Sequence, residues 1–375
     1  MSLLSLSLDD LRARTSLKWR TYSPDVLPMW VAEMDAAMHP AVTAVLQEAL
    51  GRGDTGYPHG TTYAEAFAAM SAARWEWALE VGTQVRRAGD VMNSILAVLE
   101  ATTAPGDAVV INPPVYPPFR QVVSGYRRTI VEAPLTRAGR LDLDALEVAF
   151  AGPEHPRAYL LCSPHNPTGA VHTAEELTAV MALAERHAVR VVVDEIHECL
   201  VDPGTPFVPL LTVPGGEHAI SVTSAGKAWN LAGFKAGLII AGSGATDVLT
   251  ALPPLAQQSS GHLANLAHTA ALEKAQAWID EVVVEAAANK RLLATELAAH
   301  LPEVEYSPAA GTYLAWVDCA ALGLADPARH FADVGRVAFS PGVNFARSHK
   351  QWVRVNLACA PDVVVEGVRR MAASV

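Results

Sequence analysis

Residues 219–234 read AISVTSAGKAWNLAGF. The run opens as a short apolar segment suited to a buried strand and passes at once into small residues around one lysine, Lys227. Serine, alanine and glycine at 224–226 leave room for a ligand to come close to the backbone. A lysine in such a crevice is usually a snorkelling residue whose stem covers apolar neighbours. Its company along the chain is what makes it more than that.

Working outward, apolar runs at 108–111, 129–132, 158–162, 191–193 and 236–241 repeat the pattern of 219–223. Helical patterns lie between several of them, at 141–150 and 173–187. Short strands that are apolar throughout and alternate with helices predict an α/β fold whose mostly parallel sheet is covered on both faces. Ligands of such sheets bind outside the carboxyl ends of the strands. Those ends are rich in chemistry here: NPPVYPPF at 112–119, SPHNPTG at 163–169, DEIHE at 194–198 and SAGK at 224–227.

The flanks complete the organisation. Residues 7–15, 40–51 and 91–103 have helical patterns, and 62–81 reads as one long helix with Phe67, Met70, Ala73 and Trp77 spaced at three to four. The stretch TYSPDVLPMWVAEMD at 21–35 is expected to be an extended arm outside any sheet, because Pro24 and Pro28 lack amide donors. Beyond 242 the pattern changes: 265–301 is helical in composition, and short strands at 311–317, 337–339 and 353–357 predict a smaller α+β unit. The expected division is an N-terminal arm (1–40) packed on the small unit, a large ligand-binding unit (41–250) and a small C-terminal unit (251–375).

At 375 residues, with 51% hydrophobic and 18% charged positions, the chain is too apolar for disorder and large enough for two packed units. A formal net charge of -11 with scattered Lys and Arg argues against a nucleic-acid surface. Cys162, Cys199, Cys319 and Cys359 sit in apolar runs without CxxC spacing, as reduced core thiols do, and no metal site is expected. The N-terminus carries no basic region before its short apolar patch, so no signal peptide is expected, and no run is long enough to span a membrane. These features fit a cytoplasmic protein.

The site chemistry assembles from the strand ends. Asp194 closes the apolar run VVVD, where a carboxylate is costly unless a cation pairs with it. A lysine that forms a Schiff base, with an acid that pairs a protonated pyridine nitrogen, is the protein's share of pyridoxal-phosphate chemistry. Asn166 in the NPTG turn is suited to donate to the ring's 3-hydroxyl, and Tyr116 to stack on the ring face. Ser224 and the amides at the start of a helix near Val91, Met92, Asn93 and Ser94 are suited to phosphate. Each of these features alone is common in structural turns.

Together, in this order and spacing, they resemble the aspartate-aminotransferase superfamily, the fold-type-I pyridoxal-phosphate enzymes, over essentially the whole chain. The resemblance implies a large domain with a mostly parallel seven-stranded sheet plus a smaller α+β domain. It implies Lys227 as Schiff-base lysine, Asp194 as pyridinium partner, Asn166 as 3-hydroxyl ligand and Tyr116 as stacking aromatic, the last two also lying beside the substrate. It implies Ser224 and Lys235 as phosphate ligands, Lys235 standing where arginine is common. Tyr57 matches the tyrosine that reaches the phosphate from the neighbouring subunit of a homodimer, Arg354 in WVRVNLA matches the arginine that grips the substrate carboxylate, and Ala32 in WVAEMD falls at the substrate.

Within that superfamily WVAEMD, YPPF, DEIH and KAWNLAGFK are similar to the cystathionine β-lyase (C-S lyase) branch of the MalY and PatB type. His197 takes the place of a tyrosine common three residues after the acid, where it would contact the cofactor oxygen or orient Asp194. The segment DVMNSI lacks the glycines of many relatives, LACAP lacks an arginine that often follows, and Gly226 stands where serine is common. The implied activity is cleavage of L-cystathionine or other cysteine S-conjugates to pyruvate, ammonia and a thiol. The alternative is amino transfer to a 2-keto acid. Trp30 and Met34 of the arm are expected to flank a thioether side chain.

Overall fold

The computed structural model describes residues 2–375. Its strands are β1 (Leu27–Pro28), β2 (Val85–Ala88), β3 (Ala108–Ile111), β4 (Thr129–Glu132), β5 (Ala158–Cys162), β6 (Arg190–Asp194), β7 (Ile220–Thr223), β8 (Gly237–Ala241), β9 (Leu314–Asp318), β10 (Val337–Ala338), β11 (Ser340–Pro341) and β12 (Trp352–Asn356). Seven of them form one sheet in the order β2-β8-β7-β6-β5-β3-β4, with β8 antiparallel to both neighbours and the rest running in one direction. The predicted α/β architecture is therefore present.

Alternation along each strand splits its side chains between two apolar layers. On β5, Leu160 and Cys162 join the layer built with helices Val91–Thr102 and Pro117–Gly125, while Tyr159 and Leu161 join the one built with Leu143–Phe150 and Ala174–Arg186. Burying each such large side chain stabilises the fold by roughly 1.5–3 kcal/mol. The helices start where side chains satisfy their free amides: Thr173 and Glu176 form a reciprocal capping box, and Asp90 accepts from the Asn93 N–H. Parallel register brings Cys162 beside Asp194 and Asp194 beside Val222, so the chemistry-bearing loops leave the sheet at one edge.

The smaller sheet has the order β11-β12-β9 and is antiparallel. Val353 and Val355 pack with Leu293 and Leu297 of helix Gln276–His300 and with Val364 and Val368 of helix Pro361–Ala372. Helix His262–Lys274 instead packs against Pro40–Gly51 and Thr62–Trp75 beside the large sheet, so the long helix that follows it carries the chain from one core to the other. The division expected near residue 250 precedes both helices.

Two local expectations are corrected, and one strand is added. The helix expected over 62–81 stops at Trp75: Glu76 turns left-handed at φ 55°, and Trp77 still buries itself against Phe67. The arm expected to avoid any sheet makes β1, parallel to β10. Pro28 is tolerated there because the ladder uses the N–H groups of Leu27 and Met29 and none from residue 28. Strand β2, for which the sequence analysis has no element, forms an edge of the large sheet with Arg86 and Arg87 half-buried. The NPTG turn needs its glycine: Gly169 has φ +71°, and a Cβ there would lie 2.7 Å from the Gly311 carbonyl oxygen.

Candidate active site

Beyond the carboxyl ends of β5, β6 and β7 lies a cavity lined by Ala32, Val91, Met92, Tyr116, Asn166, Asp194, His197, Ser224, Lys227, Lys235 and Arg354. Eleven of the fourteen residues singled out as cofactor or substrate contacts thus meet in one place. Asn93, Ser94 and Tyr57 do not line it. Asn93 gives its N–H to Asp90 Oδ1 at 2.8 Å, and Ser94 gives its own to the Asp90 carbonyl, which leaves the first-turn amides of Val91 and Met92 for a ligand. Tyr57 is 96% exposed on its loop. Of the arm residues expected beside a thioether, Met34 is turned into the core and Trp30 packs edge-on to Tyr22; Val31 and Ala32 form the cavity wall instead.

Asp194 ends β6 with its carboxylate buried and one hydrogen bond from the Ile196 N–H, at 3.0 Å. Burial dominates and pushes its pKa up to about 7, against the opposing pull of that N–H and of the Lys227 charge. Lys227 is partly buried and donates from Nζ to the Ala32 carbonyl at 3.0 Å. Burial first, then the neighbouring Arg354 charge, lowers its pKa to about 8, so a usable share of the amine is neutral near physiological pH.

Arg354 reaches in from β12. Its Nη1 donates to Asn166 Oδ1 (2.9 Å) and its Nη2 to the Trp30 carbonyl (3.1 Å) and Ser340 Oγ (3.2 Å). Every one of these partners is neutral, and Arg354 Nε is buried with none. The guanidinium lies over the Phe345 ring at 4.9 Å, and burial lowers its pKa to about 10. A buried guanidinium that has only neutral partners calls for an anionic ligand. His197 is buried with Nδ1 unpartnered, and burial holds it neutral by lowering its pKa to about 3.

Near the helix that begins at Val91, Lys235 Nζ lies 3.2 Å from Asp90 Oδ2, and Ser224 Oγ donates to the Ala236 carbonyl while accepting the Gly226 N–H. A Cβ at Gly226 would come within 3.1 Å of that hydroxyl. Glycine at this position therefore leaves the hydroxyl uncrowded.

These residues fit the group implied by the sequence resemblance. Asp194, raised to about 7 by burial, suits a protonated ring nitrogen; Lys227 suits an aldehyde; the Val91 and Met92 amides with Ser224 and Lys235 suit a phosphate. Sequence reasoning missed the side chains that fix the arm against this cavity, Asn230, Tyr313, Ser340 and Asn356, and the Phe345 ring under Arg354. Their partners depend on the arm folding back, which leaves no local signal.

The model of the family described as aminotransferase class I and II matches residues 27–371. A Mycobacterium leprae protein named "Putative cystathionine beta-lyase" is 43% identical over 386 residues, spanning 98% of this chain and 96% of its own. "Cystathionine beta-lyase PatB" of Bacillus subtilis is 32% identical over 365 residues, spanning 93% and 92%. Among solved structures, one described as a "putative plp-dependent beta-cystathionase" from Corynebacterium diphtheriae superposes with a TM-score of 0.94 at 30% identity, covering 100% of this chain and 99% of that one. The chain belongs to the aminotransferase class I and II family.

Proposed function

We propose that this chain is a pyridoxal-phosphate enzyme that cleaves the C–S bond of L-cystathionine or other cysteine S-conjugates. The observation that carries the reading is the convergence of Asp194, Lys227 and an Arg354 with only neutral partners on one cavity, in a chain whose relatives carry the name cystathionine beta-lyase. Bound pyridoxal phosphate supplies an aldehyde for the substrate amine and a ring that accepts the electron pair left behind by the α-proton.

The chain's own residues do the rest. Arg354 receives the substrate carboxylate in a charge-assisted pair, exchanging its neutral partners for an anion. Asp194 would hold a proton on the ring nitrogen, and that cation would offset the burial that raises its pKa. Lys227, with its amine pKa near 8, takes the proton from the substrate α-carbon. The β C–S bond then breaks and the thiolate leaves with its electron pair, to be protonated. With one water consumed, the balance is thiol, pyruvate and ammonia.

The cation at the far end of the cavity, Lys235, pairs with Asp90, and Lys227 and Arg354 have roles already. A second free carboxylate on the substrate would therefore meet no cation of this chain along the cavity wall, which favours elimination from a thioether over transamination of dicarboxylates. Tyr57, exposed in the single chain, is read as crossing a twofold interface to the partner's phosphate, making the enzyme a homodimer. No described helix is long and apolar enough to cross a membrane. The four free, buried cysteines support a cytoplasmic setting.

The test is thiol release from an S-substituted cysteine with no keto acid present. Stoichiometric thiol is expected. Movement of amino groups to an added keto acid, with the C–S bond intact, would establish the aminotransferase alternative instead.

A further inference from the structure

Segment 30–36 forms neither helix nor strand, yet side chains from distant parts of the chain take its carbonyls one after another. The Trp30 carbonyl accepts from Arg354 Nη2 (3.1 Å) and Ser340 Oγ (2.6 Å). The carbonyls of Val31 and Glu33 both accept from Asn356 Nδ2, at 2.7 and 2.6 Å. The Ala32 carbonyl accepts from Lys227 Nζ (3.0 Å) and the Tyr313 hydroxyl (3.2 Å). Asn230 closes a two-point clamp: its Oδ1 accepts the Met34 N–H and its Nδ2 donates to the Met34 carbonyl, both at 2.9 Å.

The two asparagines are not placed at random relative to the reacting groups. Asn230 follows Lys227 by three residues in the same loop, and Asn356 follows Arg354 by two on β12, hence on the same face of that strand. Asn356 is 1% exposed and has spent its polar atoms, since its Oδ1 accepts the Ala358 N–H. Asn230 sits at φ 56°, a left-handed conformation that few non-glycine residues adopt and that asparagine tolerates best.

We propose that Asn230 and Asn356 are positioning residues that grip segment 30–34 from the lysine loop and from β12, and so set the separation of the Lys227 amine from the Arg354 guanidinium. The proposal rests on the reading that those two cations act on one substrate. A substrate carboxylate and α-hydrogen hang from the same carbon, so any error in that separation falls on the hydrogen Lys227 must reach. The arm is the ruler between them: Trp30 and Ala32, two residues apart, present carbonyls to the two cations.

Asn230→Gly tests this cleanly, because glycine adopts φ 56° without strain and only the clamp is lost. Hydrogen exchange at the Met34 amide should accelerate by about tenfold or more, while the amides of β6 keep their protection. Capture of pyridoxal phosphate by the cofactor-free variant, followed by its visible band, should slow by about tenfold, and kcat should fall by about tenfold to a hundredfold with KM changed by less than about threefold. Unchanged exchange at Met34 would overturn the clamp. Faster exchange with wild-type capture and wild-type kcat would overturn the positioning role. Should the wild-type protein capture cofactor and release no thiol, the lyase reading alone fails, and exchange and capture still decide the proposal because neither needs turnover.

Discussion

Replacing Asp194 by asparagine should stabilise the cofactor-free protein at alkaline pH while removing its hold on the cofactor. The carboxylate is buried with one N–H donor, and its pKa rises from 3.8 to about 7. A folded-state value above the unfolded one means that the folded chain binds the extra proton between the two. Stability owed to this group is therefore fully present at low pH and is lost as pH rises from about 4 to about 7. At about 1.36 kcal/mol per pH unit, the loss comes to about 4 kcal/mol, and water at the mouth of the cavity lowers it towards about 2. Asparagine keeps the acceptor for Ile196 and never ionises. Glu195, Glu198 and Lys227 feel the Asp194 charge, so their smaller responses to its removal are part of the measured difference. Part of that loss is complete by pH 5, so urea unfolding of both cofactor-free proteins across pH 5 to 8 should show the variant gaining on the wild type by about 1–3 kcal/mol, and saturating pyridoxal phosphate should reverse the order. A difference that does not change with pH, or a variant less stable at pH 8, would refute the argument that the site is built around a missing cation.

Other consequences follow from the same geometry. Lys227→Ala should fold and lose borohydride-trapped cofactor on the peptide that carries residue 227; a trapped adduct elsewhere would move the assignment. Arg354→Ala should raise KM by about tenfold to a hundredfold, the worth of a charge-assisted pair, with a smaller loss in kcat. A fall in kcat alone would place the carboxylate elsewhere. Mixing Tyr57→Phe subunits with Lys227→Ala subunits should restore activity through heterodimers in which one site has neither defect; no recovery after confirmed subunit exchange would remove Tyr57 from the partner's site. Gly169→Ala should lower the unfolding free energy by more than about 1 kcal/mol in a denaturation series, since both φ and the Gly311 carbonyl oppose a Cβ; a neutral result would contradict the packing described.

Strands β3, β5 and β6 were legible in the sequence because burial on both faces makes their centres apolar, and the loops after them, each common alone, are informative in their joint order. Strand β2 was not. Only Val85 and Ala88 are buried, Arg86 and Arg87 are half-buried at the edge, and the strand exists through pairing with a partner some 150 residues on in the chain. The end of the helix at Trp75 was hidden for a different reason: Glu76 takes the left-handed position that glycine usually marks, and the apolar spacing runs on to Trp77. In the site, Asp194 and Lys227 could be read from their places at strand ends, and Arg354 through the family resemblance. Asn230, Asn356 and Tyr313 could not, because what they hold is the backbone of an arm whose return path no local pattern encodes. Tyr57 is legible only through resemblance, since in one chain it touches nothing of the cavity.

The central claim is tested most directly by product stoichiometry with purified, cofactor-loaded protein and L-cystathionine in the absence of any keto acid. The account predicts one pyruvate, one ammonia and one free thiol for each cystathionine consumed, and none of the three from Lys227→Ala. Cystathionine consumed without ammonia, its nitrogen recovered only on an added keto acid, would contradict it.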